Sequence, residues 1–422
     1  MKPHCLTFVV SAVLATQALA TDWGAELKRT GKWLVARQKS TGELQESEYF
    51  DYVYQIDTVR AVWVWAEYQR VTGDTQFRTN MDLAWTYIEA TPSYNEVLAY
   101  LRLESCGWSL KSEMLYSRLT GDTSHEAYAI ACADYIANNF PDVSADNQLF
   151  AAGQAALFLY EWAVDRSDSG RIAVAEGLAA TLRSAIESDP TRLDNEVGEE
   201  AAGMAFAAIA TVAFDTNPDG RKAWVEQYRT YLDTYVPPSL YNNCHNAWYC
   251  YAHDLAWEYG AEKASHDALW TIATDQIAQD GDSDGGIPRK STDNPGHDAT
   301  WSTEVYVFGP FNGLYHEQDL ALVTADSSVP VGGVLKIDFG LANNLTSTAL
   351  CFLVAFVDIP GFGGVYLGAF SVLLPAGFSF AVNDINFSIA PGSPTGNWKL
   401  RTYVYNAAGK LQDEAILPFK VQ

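Results

Sequence analysis

The stretch Arg-Val-Thr-Gly-Asp-Thr at residues 70–75 returns as Arg-Leu-Thr-Gly-Asp-Thr at residues 118–123. In each copy the glycine can end a helix in the left-handed conformation, and the Asp or Thr can cap the next one. The interval is one helix pair, so the chain repeats a helical hairpin. Apolar residues recur about every 3.6 positions from Asp22 to about Tyr315, the period of one helix face. Gly, Pro, Asn and Asp cut this pattern into twelve segments, at 23–39, 51–71, 75–90, 95–119, 123–139, 147–166, 169–187, 197–215, 219–236, 242–260, 262–278 and 298–314. A second echo joins the two ends: Gln38 precedes Asp57 by nineteen residues, and Gln279 precedes Asp298 by nineteen. Six hairpins with matching first and last units predict a mainly α chain closed into a ring, an (α/α)6 toroid, in which each hairpin buries its face against the next.

The flanks read differently. Residues 1–20 carry Lys2, an apolar run from Leu6 to Ala15 and a small-x-small end at Ala18-Leu19-Ala20. This predicts a cleaved signal peptide and a secreted protein, periplasmic or extracellular, with the toroid spanning 21–315. Neither this run nor a later one is long enough to span a bilayer. Residues 316–328 read as a linker. From 329 to 422, short alternating runs such as Val334–Ala342 and Trp398–Tyr405, separated by Gly, Pro and Asn, predict a small antiparallel β-sandwich. Asn344 and Asn386 each begin a glycosylation pattern.

Cys5 leaves with the signal, and the other five cysteines lack the paired short spacing of a zinc site. Cys244 and Cys250 can close a local loop, Cys106 and Cys132 fall on successive helices, and Cys351 is left as a buried thiol. The 52 acidic against 27 basic residues give a formal charge of −25. Such a surface repels nucleic acid and anionic membranes, so neither is an expected partner, and a soluble monomer is expected. An aromatic content of 13%, with 13 Trp and 23 Tyr, also supplies flat faces on which a neutral sugar can stack.

If odd segments form an outer ring and even ones an inner ring, every loop leading into an inner helix opens at one end. Those loops carry Tyr52, Tyr54 and Asp57; Asn95 and Glu96; Asp142 and Asp146; Asp194, Glu199 and Glu200; Tyr241, Asn242, Asn243 and His245; and the stretch from Asp280 to Asp298 with Trp301. Acids at helix starts also oppose the macrodipole, which alone accounts for Glu199, Glu200 and Asp298 as caps. Asp57 differs, lying inside a helix between Ile56 and Val59, where Arg60 can neutralise it. Asp280, Asp282 and Asp284 fall at positions one, three and five of a calcium-type loop with Gly285 at six, although position twelve is Ser291 rather than a carboxylate. Ca2+ is therefore the one cofactor the sequence raises, beside an ion-free turn.

The ring resembles the six-hairpin superfamily of secreted glycosidases and polysaccharide lyases. The stretch Gln-Asp-Gly-Asp-Ser-Asp-Gly-Gly-Ile-Pro followed by Asp-Ala-Thr-Trp resembles a repeat of the terpenoid cyclase and prenyltransferase group. Two departures weigh against the chemistry of that group: the acid motif of the cyclases and the zinc set of the prenyltransferases are both missing. The C-terminal module is similar to immunoglobulin-like accessory domains. The resemblance implies an enzyme that cleaves a glycan by acid/base chemistry. Hydrolysis needs an acid and a second carboxylate, with Asp57, Asp298, Glu199 and Glu200 as candidates. Tyr54 or Trp301 would form a platform, and Arg60 and His297 would serve as further substrate contacts. Elimination would use Tyr241 or His245 as base, with Asn242 or Asn243 neutralising a uronate. The acidic surface repels uronates, which favours hydrolysis. The alternative is a toroid without chemistry that binds a hydrophobic or peptide ligand.

Overall fold

The computed structural model describes residues 23–141, 143, 149–193, 203–216, 218–232, 242–290, 297–311, 316–345 and 347–422. They fall into two compact units, Asp22–Tyr315 and His316–Gln422. The helical unit contains α1 (Trp23–Arg37), α2 (Gln55–Thr72), α3 (Arg78–Ala90), α4 (Arg102–Thr120), α5 (Glu126–Asn139) and α6 (Leu149–Asp165). It continues with α7 (Ser169–Ser188), α8 (Gly203–Ala208), α9 (Arg221–Leu232), α10 (Asn242–Gly260), α11 (Lys263–Ile277) and α12 (Thr300–Tyr306). Each of the twelve predicted segments overlaps one of these helices, and α2, α4 and α7 run one residue beyond theirs.

The repeated turn behaves as its residues require. Gly73 and Gly121 sit at φ 72° and 71° and donate their N–H groups to the Gln69 and Ser117 carbonyls. The side chains of Asp74 and Asp122 then accept the N–H groups of Gln76 and Ser124, which starts the next helix.

Burial separates the helices into two classes. On α3 only Met81, Ala84, Trp85 and Ile88 are buried, a single stripe at helical spacing. Along α2 every residue from Gln55 to Tyr68 is buried, as expected of a helix packed on all sides. The all-round buried helices touch in sequence: α2 on α4, α4 on α6, α6 on α8, α8 on α10, α10 on α12, and α12 back on α2. Gly153 allows one of these approaches, since a Cβ there would stand 2.5 Å from the Met204 carbonyl carbon. One continuous apolar core runs through the cycle. Among the described residues no helix is long and apolar enough to cross a membrane. Cys106, Cys132 and Cys250 are buried free thiols in this core.

His253 on α10 is 2% exposed, its Nδ1 has no hydrogen-bond partner, and burial together with Arg229 lowers its pKa to about 4. A histidine neutral when folded but protonated near 6.5 when unfolded loses stability as pH falls from 6.5 to 4, by about 3 kcal/mol. Buried carboxyls act in the opposite direction, so the expected result is a difference. His253→Gln should lose about 3 kcal/mol less than the native chain between pH 7 and pH 4 in chemical denaturation. Parallel curves would remove His253 as an acid-sensitive group.

The C-terminal unit contains β1 (Gln318–Val323), β2 (Ser328–Val329), β3 (Val334–Asn343), β4 (Ala349–Ile359), β5 (Gly363–Leu374), β6 (Ser379–Ser388), β7 (Gly396–Asn406) and β8 (Leu411–Val421). They form a three-stranded sheet ordered β1-β3-β6 and a five-stranded sheet ordered β2-β8-β7-β4-β5. All pairings are antiparallel except the short β2–β8 pair. Buried Leu335 and Ile337 of β3 pack with Trp398, Leu400 and Phe419 of the other sheet, and Leu341 packs with Leu353 and Val404. The expected linker at 316–328 is corrected here. Gln318–Val323 pairs with β3 residue by residue, because Leu320 and Leu322 have the period of a strand despite the acids beside them. Asn344 is fully buried, so its glycosylation pattern cannot be used in the folded chain.

Candidate functional site

Where the cycle of inner helices closes, the loop after α1 is hydrogen-bonded to the segment entering α12. Ser47 and Ala299 form a β-bridge, the Glu48 N–H donates to the Asp298 carbonyl at 3.3 Å, and the Thr300 N–H donates to the Glu46 carbonyl at 2.8 Å. The Trp301 indole N–H also reaches Glu46 Oε1, at 3.2 Å. Half-buried Glu46 and Trp301 therefore meet at this seam, and the Glu46 charge acts on half-buried Tyr54, just before α2. Glu96 accepts the Gln55 N–H at 2.7 Å and so caps that helix.

Asp57 and Glu104 occupy the first turns of α2 and α4, and both are buried. Arg60, one turn along from Asp57, forms an ion pair with Glu104. Gln154 of α6 donates to Glu104 Oε1 at 3.3 Å and accepts the Trp108 indole N–H at 2.7 Å. The Arg60 guanidinium lies 5.4 Å from the Trp108 ring and 5.7 Å from the Trp248 ring. Further along the same helices, Trp63, Trp108, Trp248 and Phe308 pack ring to ring at 5.1–6.4 Å and close the centre with aromatic surface.

The polar layer above that floor is incompletely bonded. Asp57 Oδ2 and both carboxyl oxygens of Glu304, on α12, are buried with no hydrogen-bond partner. Burial is the main cause that pushes Asp57 well above the usual carboxylate range. Arg60 opposes this, and Glu46, Glu104 and Glu96 add to it. Glu304 is likewise pushed well up, first by burial and then by Asp57. Glu104 is raised by burial against the pull of Arg60. The layer thus holds three carboxyls and one guanidinium, and burial favours the neutral form of the acids that lack partners.

Asp298 belongs to a neighbouring cluster. Burial, then the charges of Asp284, Asp282, Glu48 and Asp280, push it up to about 7. Its Oδ2 lies against Gly286, where a Cβ would come within 2.5 Å, and the Trp33 indole nitrogen is equally close. Carboxylate oxygens of Asp280, Asp282 and Asp284 lie within 4.8 Å of one another. Each also has a role in the turn: Asp280 Oδ2 accepts the Gly285 N–H, Asp282 Oδ1 that of Asp284, and Asp284 Oδ1 that of Gly286. Asp280 Oδ1 is buried without a partner, and Arg29 stands 3.6 Å from Oδ2.

Several expected roles change. Arg60 forms its ion pair with Glu104, its charge also acts on Asp57, and it is 5% exposed, so it is a buried cation between the two acids. Asp57 is the third residue of α2, whereas Asp298 precedes α12 by two residues. The nineteen-residue echo therefore marks different points on the two helices, and the α12 carboxyl that Asp57 acts on is Glu304. His297 is exposed and packs edge-on against Tyr49 at 4.3 Å. Asn242, Asn243 and His245 lie on the first turn of α10, with side chains outside the described residues, where Glu199, Glu200 and Tyr241 also fall. Glu46, Glu104, Gln154 and Glu304 were not singled out from the sequence. Glu304 carried a usable signal, an acid between Thr303 and Val305 in an otherwise apolar segment.

No known family model matches this sequence, and no curated protein sequence matches it. Among solved structures, the chain is similar to the GH76A alpha-1,6-mannanase from Salegentibacter sp. HEL1_6. The match has a TM-score of 0.54 and 14% identity, and covers 69% of this chain and 98% of that one. An inactive variant of that enzyme, with two consecutive aspartates changed to asparagine, is in complex with alpha-1,6-mannotriose. It matches with a TM-score of 0.54 and 13% identity over the same shares of the two chains. At these identities the likeness is one of fold alone.

Proposed function

We propose that the chain is a secreted glycoside hydrolase whose helical unit is a closed (α/α)6 toroid, with the C-terminal unit as an immunoglobulin-like accessory sandwich. The observation that carries this reading is the set of buried, unpartnered carboxyl oxygens on Asp57 and Glu304 at the end of the ring where inner helices begin. An unpaired buried acceptor costs stability, and a glycan's hydroxyl groups are the donors these oxygens lack. Asp57, protonated through burial, is the proton donor to the glycosidic oxygen. Glu46, half-buried at the seam, is the carboxylate that activates water or attacks. Tyr54 and Trp301 supply the stacking faces. Asp298 is kept as a second acid on the same rim. The solved mannanase is inactivated at two consecutive aspartates. This sequence has no Asp-Asp pair, and Glu199-Glu200 is the one adjacent acid pair in the helical unit, so these two remain alternative carriers.

The deciding experiment incubates the native chain with a glycan panel that begins with alpha-1,6-mannan and includes neutral and uronate polymers. New reducing ends would be measured together with the absorbance of unsaturated products. Reducing ends without that absorbance are expected. Absorbance would replace hydrolysis by elimination, and silence in both channels would leave the ligand-binding toroid as the reading.

Calcium at Asp280, Asp282 and Asp284 belongs to the same proposal. The buried unpartnered Asp280 Oδ1 supports it, while the turn bonds support an ion-free loop. A ligand at 100 times its dissociation constant adds about 2.7 kcal/mol. Millimolar Ca2+ should therefore raise the melting temperature, and Asp282→Ala should abolish the rise. An unchanged melting temperature in the native chain would leave an ordinary turn.

A further inference from the structure

The C-terminal unit carries a second group of potential ligands that the glycan reading does not use. His316 stands just before β1, Asp319 lies on β1, and Asp413 lies on β8. One ligand atom from each lies within 4.8 Å of the other two. The distances from His316 Nδ1 are 3.6 Å to Asp319 Oδ1 and 3.7 Å to Asp413 Oδ1. Both are too long for hydrogen bonds. They are close to the roughly 3–3.6 Å that separates two ligands each about 2.1 Å from a shared ion.

The carboxylates are also held in place by other groups. Asp413 Oδ2 accepts the Leu320 N–H at 2.8 Å, and Asp413 Oδ1 accepts the Glu414 N–H at 2.7 Å. Asp319 Oδ2 accepts from Asn344 Nδ2 at 3.3 Å, which leaves Oδ1 turned to the imidazole. Such outer bonds orient the ligands of metal sites. All three side chains are part-buried, between 16% and 30% exposed, so an ion can reach them from solvent without losing their grip.

We propose that His316, Asp319 and Asp413 bind one first-row divalent metal ion of the zinc or manganese class. One imidazole and two carboxylates suit these ions, whereas Ca2+ takes oxygen ligands. The ion joins the two sheets of the unit, since β1 belongs to the three-stranded sheet and β8 to the five-stranded one. Cys351 is the single cysteine of residues 316–422, so no disulfide can do this within the unit.

The test uses the full chain stripped with chelator and titrated with Zn2+ by calorimetry, with Co2+ absorption as a second readout. One Zn2+ per chain is expected. His316→Ala and Asp413→Asn should each weaken binding by about 100-fold and remove the Co2+ bands, while Lys336→Ala leaves both unchanged. Asp319→Asn, nearly identical in shape, guards against loss of fold and should weaken binding as well, with the circular dichroism of the native chain. The proposal is overturned if the native chain takes up no Zn2+, or if folded His316 and Asp413 variants bind it as the native chain does.

Discussion

Asp57→Asn is expected to lower glycan turnover by roughly 10²–10⁴-fold, the usual contribution of a positioned proton donor, while the folded chain becomes more stable. The two effects have one origin. Burial raises the folded-state pKa of Asp57 well above its unfolded value. The folded state therefore holds a proton that the unfolded state releases. The resulting stability is greatest at low pH and declines as pH rises from about 4 toward the folded pKa. Asparagine keeps the neutral shape and never ionises, so the variant should gain stability over the native chain at pH 7–8 and match it near pH 4. Glu304→Gln should behave in the same way, since its carboxyl is raised by burial and by Asp57. Turnover and denaturant midpoints measured on the same preparations settle the point. If stability falls in step with activity, the two acids hold the ring together and perform no chemistry.

Arg60→Met should have the opposite signature, with a loss of about 3–5 kcal/mol, or about 10 °C in melting temperature for a domain of this size. Arg60 and Glu104 are 5% and 6% exposed and paired across α2 and α4, and the guanidinium also faces Trp108 and Trp248. Methionine retains much of the packing but leaves Glu104 without its cation. Glu104 is already raised by burial, so losing Arg60 moves its folded pKa further from the unfolded value. The deficit should consequently be small at pH 4, grow as pH rises above the folded pKa that Glu104 has in the native chain, and level off above the higher folded pKa of the variant. The double variant Arg60→Met/Glu104→Gln should recover most of the loss. A deficit that is the same at pH 4 and pH 8 would assign the effect to packing instead.

The hairpin repeat could be read from the sequence because its signals are local: a glycine that accepts positive φ, an aspartate that caps, and apolar residues at helical spacing. Starts of the inner helices were less legible. Tyr54 is extended at φ −110° and ψ 138°, so α2 begins at Gln55 and not at 51. Ahead of α4, two short 3-10 turns at Ser93–Asn95 and Ala99–Leu101 continue the apolar spacing without being part of the helix. Asp57 stood out because a charged residue interrupts a buried segment. Glu104 and Gln154 did not, since their meaning depends on partners 44 and 50 residues away. β1 was hidden for a related reason: Asp319 and Glu317 made a strand look like a polar connection.

The seam between Gln45 and Thr300 joins residues 255 positions apart. During synthesis, at about 5–20 residues per second, the first hairpin therefore waits tens of seconds for the segment that completes it. Until then α2 has an uncovered apolar flank, and Asp57 lacks the burial that raises its pKa. The long-range closure makes the complete cycle of inner helix contacts a property of the finished chain alone, and it makes slow folding its companion.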